Sequence, residues 1–266
     1  MSRRPVCVHS SLRSFKVGVE GGAGTIVDAF LQEGCTVLVP AFSWAFSVPP
    51  PPDNRPGRNA FDYGRSDEAW RALMAKRRLG AEPGAVFTPE ADEIDRDMGA
   101  VPAAVVTRPD RVRGNHPLNS FAAVGSVARE LVRRQQPLDV YAPLEALASA
   151  GGVVLLIGVD LSIMTLLHAA ERRAGRNPFR RWAKGPSGEP TAVETGGCSR
   201  GFPNLAPMLA PLAAQIRVGA STWQAFPAAA TLDAAADAIR HTPSVTHCDD
   251  THCERCRDAI LGGPLV

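Results

Sequence analysis

The apolar positions of the chain fall into two rhythms. PVCVHSSL at 5 to 12 and CTVLVPAF at 35 to 42 are short, dense apolar runs of the kind that buried strands carry. Between them, GGAGTIVDAFLQEG is a glycine turn feeding an amphipathic helix that stops at Gly34. Strand, helix, strand in that order predicts a parallel pair with a right-handed crossover. GGVVLLIGV at 151 to 159 is the clearest buried strand, and an amphipathic segment over 162 to 174 follows it as a helix. Further helices are expected over 67 to 80, from the MGAVPAAVVTR start at 98, in the second half of 112 to 136, and over TLDAAADAIRHTP at 231 to 243. VPPPPDNRPGRN at 48 to 59 holds five prolines and reads as a stiff, extended surface loop. Beyond residue 175 the periodicity weakens into a glycine-rich stretch, a helix and a cysteine-rich tail. Alternating strands and helices make a layered α/β domain, with no internal repeat and no long linker.

Composition narrows the class. The 266 residues are 45% hydrophobic and 21% charged, as in globular proteins, and are enough for one large domain. No apolar run approaches the roughly 18 residues of a membrane span, and MSRRPVCVHSS lacks a signal peptide's apolar centre. A cytoplasmic location and no membrane partner are therefore expected. The formal charge of +2 is small and dispersed, and the basic pairs at 77 to 78, 133 to 134 and 180 to 181 read as solvated charge, so no nucleic acid partner is expected.

The candidate chemistry centres on TLLHAAE at 165 to 171. On a helix, His168 and Glu171 at i and i+3 are neighbours, so the imidazole and carboxylate can hydrogen-bond or converge on one ligand. An alkyl amine is mostly protonated at pH 7, and a neutral imidazole is a natural acceptor for its proton. Glu171 can fix the tautomer of His168 or hold an incoming ammonium. GVEGGAGT at 18 to 25 sits at a helix start, where free N–H groups favour a phosphate, and places Gly22 and Thr25 as candidate anion contacts. Ser10 and Ser11 end the first strand beside it, and Ser43 follows the second, where ligands of parallel sheets bind. No G-x-S-x-G elbow, P-loop or dinucleotide fingerprint occurs, and Cys7 and Cys35 read as inert apolar fillers.

Four segments taken together, VHSSLRSFKVGVEGGAGTIVDAF at 8 to 30, TVLVPAFS at 36 to 43, VRGNHPLNSFAAVG at 112 to 125 and LLIGVDLSIMTLLHAAE at 155 to 171, resemble the aminoglycoside 3-N-acetyltransferase family. The resemblance covers about residues 6 to 182. It implies a three-layer α/β/α fold with a mixed, largely parallel sheet, acetyl-CoA as donor, and direct acyl transfer to a small-molecule amine. The catalytic core with its donor site is thus expected over 1 to 182, and 183 to 266 as the C-terminal part of the same domain. His168 is then the general base and Glu171 its partner, while Arg113, His116, Ser120 and Phe121 lie on a loop at the coenzyme A site. Where members read R-S-x-H-P, this chain has Arg113, Gly114, Asn115, His116 and Pro117, and Ser162 stands where many have asparagine. Two other readings remain: an acyltransferase for a less cationic biosynthetic amine, and a non-catalytic ligand-binding member of the same fold.

Charge and cysteines add two expectations. An aminoglycoside is a polycation and calls for carboxylates; Glu90, Asp92, Glu93, Asp95 and Asp97, with Glu189 and Glu194 further on, are candidates. Cys198, Cys248, Cys253 and Cys256 follow the catalytic segments, the last two as C-x-x-C, a set suited to tetrahedral structural zinc, with His247 or His252 as substitute ligands.

Overall fold

The computed structural model describes residues 2–51, 54–60, 67–77, 79 and 81–265. Positions 52 and 53 of the proline-rich loop, 78 of the first basic pair, and 78 and 80 of the helix expected over 67 to 80 lie outside them. In chain order the first elements are β1 (Pro5–Ser10), α1 (Gly22–Gln32), β2 (Thr36–Pro40), β3 (Ser47–Val48), α2 (Asp67–Ala75) and α3 (Ala100–Val106). Next come β4 (Val112–Arg113), β5 (Phe121–Val124), α4 (Ala128–Val132), α5 (Ala142–Ser149), β6 (Val153–Ile157) and α6 (Leu166–Arg173). The last third holds β7 (Phe179–Lys184), β8 (Pro190–Thr195), α7 (Ala206–Leu209), β9 (Ala214–Val218), β10 (Ser221–Pro227), α8 (Ala228–His241) and α9 (Glu254–Ile260).

Seven strands form one sheet in the order β4-β5-β2-β1-β6-β10-β9, and β3-β7-β8 form a second. Strand alternation sends successive side chains to opposite faces. Cys7, Leu38, Phe121, Val154 and Leu156 therefore pack on one side with Leu131, Leu144, Leu167 and Leu232 of α4, α5, α6 and α8. Val6, Val8, Val37, Val39, Leu155 and Ile157 pack on the other with Val27 of α1 and Val101 and Val105 of α3. This is the three-layer α/β/α arrangement.

The sheet is mixed, as expected, but its parallel part is confined to the centre. β1 runs parallel to β2 and β6, while β2–β5, β4–β5, β6–β10 and β9–β10 are antiparallel. The expectation of a largely parallel sheet is corrected here. Part of the reason is local: β9 and β10 are joined by only Gly219 and Ala220, with Gly219 at φ 60°, and so tight a turn can only reverse the chain. The small sheet carries its own core of Phe46, Phe87, Leu118, Ala183 and Val193. No helix among the described residues is long and apolar enough to cross a membrane.

Candidate active site

The parallel strands β1, β2 and β6 all end at one edge of the sheet, where ligands of such sheets bind. A cavity of about 780 Å³ opens there, lined by Ser10 at the end of β1 with Ser11 and Arg13 after it, Phe42 and Trp44 after β2, and Val159 and Ser162 to Thr165 after β6. His168 reaches it from the first turns of α6, facing Tyr141, Thr195, Gly196 and Gly197.

The expected His168–Glu171 pair is formed. His168 Nδ1 lies 2.8 Å from Glu171 Oε2, and the imidazole is stacked along Tyr141 (centroids 6.2 Å apart) and edge-on to Phe202 at 4.7 Å. Glu171 is buried behind His168 and does not line the cavity. Its second oxygen, Oε1, accepts from Arg176 Nη1 at 2.6 Å, and the same nitrogen donates to Thr246 Oγ1 at 2.8 Å. Arg176 Nη2 donates to the Pro243 carbonyl. With both oxygens engaged, Glu171 orients the imidazole rather than receiving an ammonium. If Nδ1 carries the proton given to the carboxylate, Nε2 is the free base. Arg176 is the residue that the sequence alone does not reveal: it lies past the end of α6 at Arg173, and its second partner is 70 positions away.

The expected donor contacts divide. Ser10 and Ser11 line the cavity, and Ser10 Oγ is buried with no hydrogen-bond partner among the described residues, as are Tyr141 OH and Asn119 Oδ1 on the same wall. Such groups need a partner from a ligand or water. Gly22 and Thr25 stand outside the lining; Thr25 Oγ1 instead folds over Gly21, at the start of α1. Ser43, Arg113, His116, Ser120 and Phe121 are buried and also outside the lining.

Arg113 explains why. Its Nε donates to Ser120 Oγ, Nη1 to Ala91 O, and Nη2 to Ala41 O and Glu93 O, so it ties its own loop to two others through their carbonyls. His116 is wholly buried and accepts from the Leu118 and Asn119 N–H groups through Nδ1; burial lowers its pKa from 6.5 to about 4. Phe121 is core, packed edge-on to Phe42. The motif therefore shapes the loop that brings Asn119 to the cavity. Gly114 has a role in this: a Cβ there would lie 2.1 Å from Gln135 Oε1, which accepts from Phe121 N, while Gln135 Nε2 donates to Asn119 O and Val140 O. The buried Gln135 occupies the space that a serine at 114 would need.

The acidic stretch does not gather in the cavity. Of Glu90, Asp92, Glu93, Asp95 and Asp97, only Asp97 lines it. Asp95 is turned inward to accept from Trp44 N, and burial raises its pKa to about 6. Glu189 is exposed in the β7–β8 turn, and Glu194 is buried near Arg172 and Arg180. The described lining instead holds Arg13, Arg77, Arg96 and Arg255.

Away from the cavity, Cys198, Cys248, Cys253 and Cys256 converge: their sulfurs all lie within 4.8 Å of one another, and all four residues are buried. They are free thiols, with Cys248 and Cys256 sulfurs 3.6 Å apart. His247 and His252 are not part of this group.

Comparison with known proteins agrees with this architecture. The chain is 35% identical over 173 residues to aminoglycoside N(3)-acetyltransferase VIII of Streptomyces fradiae, an alignment covering 64% of this chain and 54% of that protein. The chain thus spans about half the length of the curated relatives it matches. Its fold resembles the crystal structure of the aminoglycoside acetyltransferase AAC(3)-IVa, with TM-score 0.72 and 23% identity over 98% of this chain and 92% of that one. It also resembles AAC-IIIb solved with CoASH, with TM-score 0.67 and 22% identity over 90% and 91% of the two chains. Residues 7–240, which include the cavity's His168 and the strands that frame it, match the family model described as aminoglycoside 3-N-acetyltransferase, and the chain belongs to that family.

Proposed function

We propose that the protein is an acetyl-CoA-dependent amine N-acetyltransferase whose acceptor is an aminoglycoside or a related natural product. The observation that carries this reading is the buried Arg176–Glu171–His168 chain ending at a cavity on the carboxyl edge of the parallel strands. The neutral amine attacks the thioester carbonyl while His168 Nε2 takes its proton. The C–S bond then breaks, the thiolate leaves, and the imidazolium returns the proton to sulfur. Glu171, paired with Arg176, stabilises the imidazolium while it exists.

The donor fits the lining. Coenzyme A carries a pyrophosphate and a 3′-phosphate, and Arg13, Arg77, Arg96 and Arg255 offer charge to them. Ser10 Oγ and Asn119 Oδ1 suit the polar amides of its pantetheine arm. A solved neighbour bound to CoASH and curated relatives named aminoglycoside N(3)-acetyltransferases support the donor and the acceptor class. The four lining arginines against one carboxylate favour a second acceptor class, an amine less cationic than an aminoglycoside. Release of coenzyme A from acetyl-CoA across a panel of aminoglycosides and other amines tests both; turnover only with weakly charged amines selects the second, and turnover with none rejects the enzyme.

The cysteine cluster belongs to the same proposal as a structural zinc site. Zinc–thiolate bonds of about 2.3 Å in a tetrahedron put sulfurs roughly 3.8 Å apart, close to the 3.6 Å between the Cys248 and Cys256 sulfurs and within the 4.8 Å that bounds the other pairs. Purified protein is expected to hold about one zinc per chain, lost on Cys253→Ser with Cys256→Ser.

A further inference from the structure

The cysteine cluster is tied to the catalytic chain from two sides. Cys198 ends the segment Gly196-Gly197-Cys198, and Gly196 is packed so closely on the base that a Cβ there would lie 2.7 Å from His168 Cδ2 and 2.8 Å from Nε2. Cys248 follows the short helical turn Pro243–Thr246, whose Thr246 Oγ1 and Pro243 carbonyl are the two anchors of Arg176. The two segments also touch directly: a Cβ on Gly201 would lie 2.1 Å from Thr246 O and 2.6 Å from His247 O. Asn204 Nδ2 donates to His247 O, and Arg200 reaches Asp250 across the same seam. The third segment, with Cys253 and Cys256, places Arg255 on the cavity wall.

We infer that a metal ion held by Cys198, Cys248, Cys253 and Cys256 positions the base for acetyl transfer, by fixing the wall in front of His168 and the anchors of Arg176 behind it. This rests on the proposed function and on metal binding at the cluster. The physical need is clear from the segments. The stretch from 242 to 253 has only the turn Pro243–Thr246 as regular structure, and little apolar burial besides its cysteines. Metal binding supplies folding free energy to such a segment. Four thiolates on a divalent ion leave a net charge of −2, and Arg200, beside Cys198 and Cys253, is placed to offset it. Cys248 N–H pointing at Cys256 sulfur, 3.5 Å away, offers a further compensating dipole. Arg176 is the transmission: its guanidinium has one buried carboxylate to serve, and where it sits is set by Thr246 and Pro243. The inferred role is structural positioning, with no metal chemistry in the reaction.

The test uses the full chain, its zinc content measured before and after a thiol-compatible chelator strips it. Hydrogen–deuterium exchange then reads position without depending on activity. Stripping is expected to raise exchange over 196 to 201 and 243 to 248 and also over 171 to 176, while the amides of β1 and β2 stay protected. Loosening confined to 248 to 256, with 171 to 176 unchanged, overturns the inference, as does protein that holds no metal as purified. The kinetic arm expects kcat lower by about 10- to 100-fold in stripped protein, weaker coenzyme A binding because Arg255 sits on the loosened segment, and recovery of both on adding zinc. Thr246→Val keeps all four thiols and should hold full zinc while losing kcat; Thr246→Ser, which restores the acceptor oxygen, should recover it. Stripped protein that stays folded with unchanged kcat overturns the inference. If zinc-loaded protein acetylates no amine, the acetyl-transfer reading fails, and the exchange arm still decides whether the metal holds the His168 chain.

Discussion

At the scale of single residues, the proposed reaction rests on His168 as its base, an imidazole held by the buried Glu171–Arg176 ion pair. His168→Ala removes the proton acceptor, which typically contributes about 10² to 10⁴ in rate. The variant is expected to keep coenzyme A affinity and lose most turnover, with a residual rate that rises with pH as free amine accumulates; an unchanged rate refutes the assignment. Arg176 acts one step back, as a positioning residue. Arg176→Met leaves the Glu171 carboxylate buried without its cation, an arrangement that costs about 3 to 5 kcal/mol when the partner is lost. Reduced stability and a lower kcat at nearly constant KM are expected, with Arg176→Lys recovering part of both because it restores charge but not the fork that reaches Thr246 and Pro243. Equal losses in the lysine and methionine variants count against a charge role. His168 and Glu171 are readable in the sequence because a helix makes i and i+3 neighbours. Arg176 is not, since contacts between a helix end and a turn 70 positions later leave no local pattern.

At the scale of elements, legibility follows burial. β1, β2 and β6 are buried nearly end to end and show as apolar runs. β9 is exposed at all five positions, at the open edge of the sheet, and has no pattern to read. β7 mixes Arg180, Arg181 and Lys184 with Phe179 and Trp182, and its arginines are occupied in polar contacts rather than solvated, which hides a strand behind its charges. The basic pair at 180 to 181, expected as solvated charge, is thus half-buried to buried. The loop after β8 is where an element meets the chemistry. Gly196→Ala introduces a methyl that must displace His168 or Tyr141, whose hydroxyl would lie 2.9 Å away. The glycine has no left-handed backbone to defend, so the effect is steric alone. Turnover should fall by about 10-fold or more, with coenzyme A binding and folding largely retained; wild-type kcat in this variant shows that the loop can yield and that His168 is less tightly framed than its contacts indicate.

At the scale of the whole molecule, buried titratable groups couple the fold to pH with opposing signs. His9 and His116 are buried, and desolvation lowers each from 6.5 to about 4. Above pH 6.5 both are neutral in folded and unfolded chains alike, and their contribution is fully present. As pH falls from 6.5 towards 4, the unfolded chain takes up to two protons that the folded chain refuses, and stability is lost, by about 3 kcal/mol for each group over the whole window. Asp95 works the other way. Its folded pKa is raised from 3.8 to about 6, so the stability linked to it is present below 3.8 and lost as pH rises through 6. On acidification between 6 and 4 it therefore recovers part of what the histidines lose, and two imidazoles outweigh one partly screened carboxyl. The urea midpoint is expected to fall from pH 6.5 to 4.5 with a slope near one proton through most of that range. Asp95→Asn, which keeps an oxygen for Trp44 N–H, should steepen the lower part of that decline, and His116→Asn, which keeps an acceptor for the Leu118 and Asn119 amides, should flatten the whole of it. A midpoint that stays level across this range, or one that His116→Asn leaves unchanged, shows that the buried imidazoles take up protons in the folded state and that the loop carrying Asn119 opens to water.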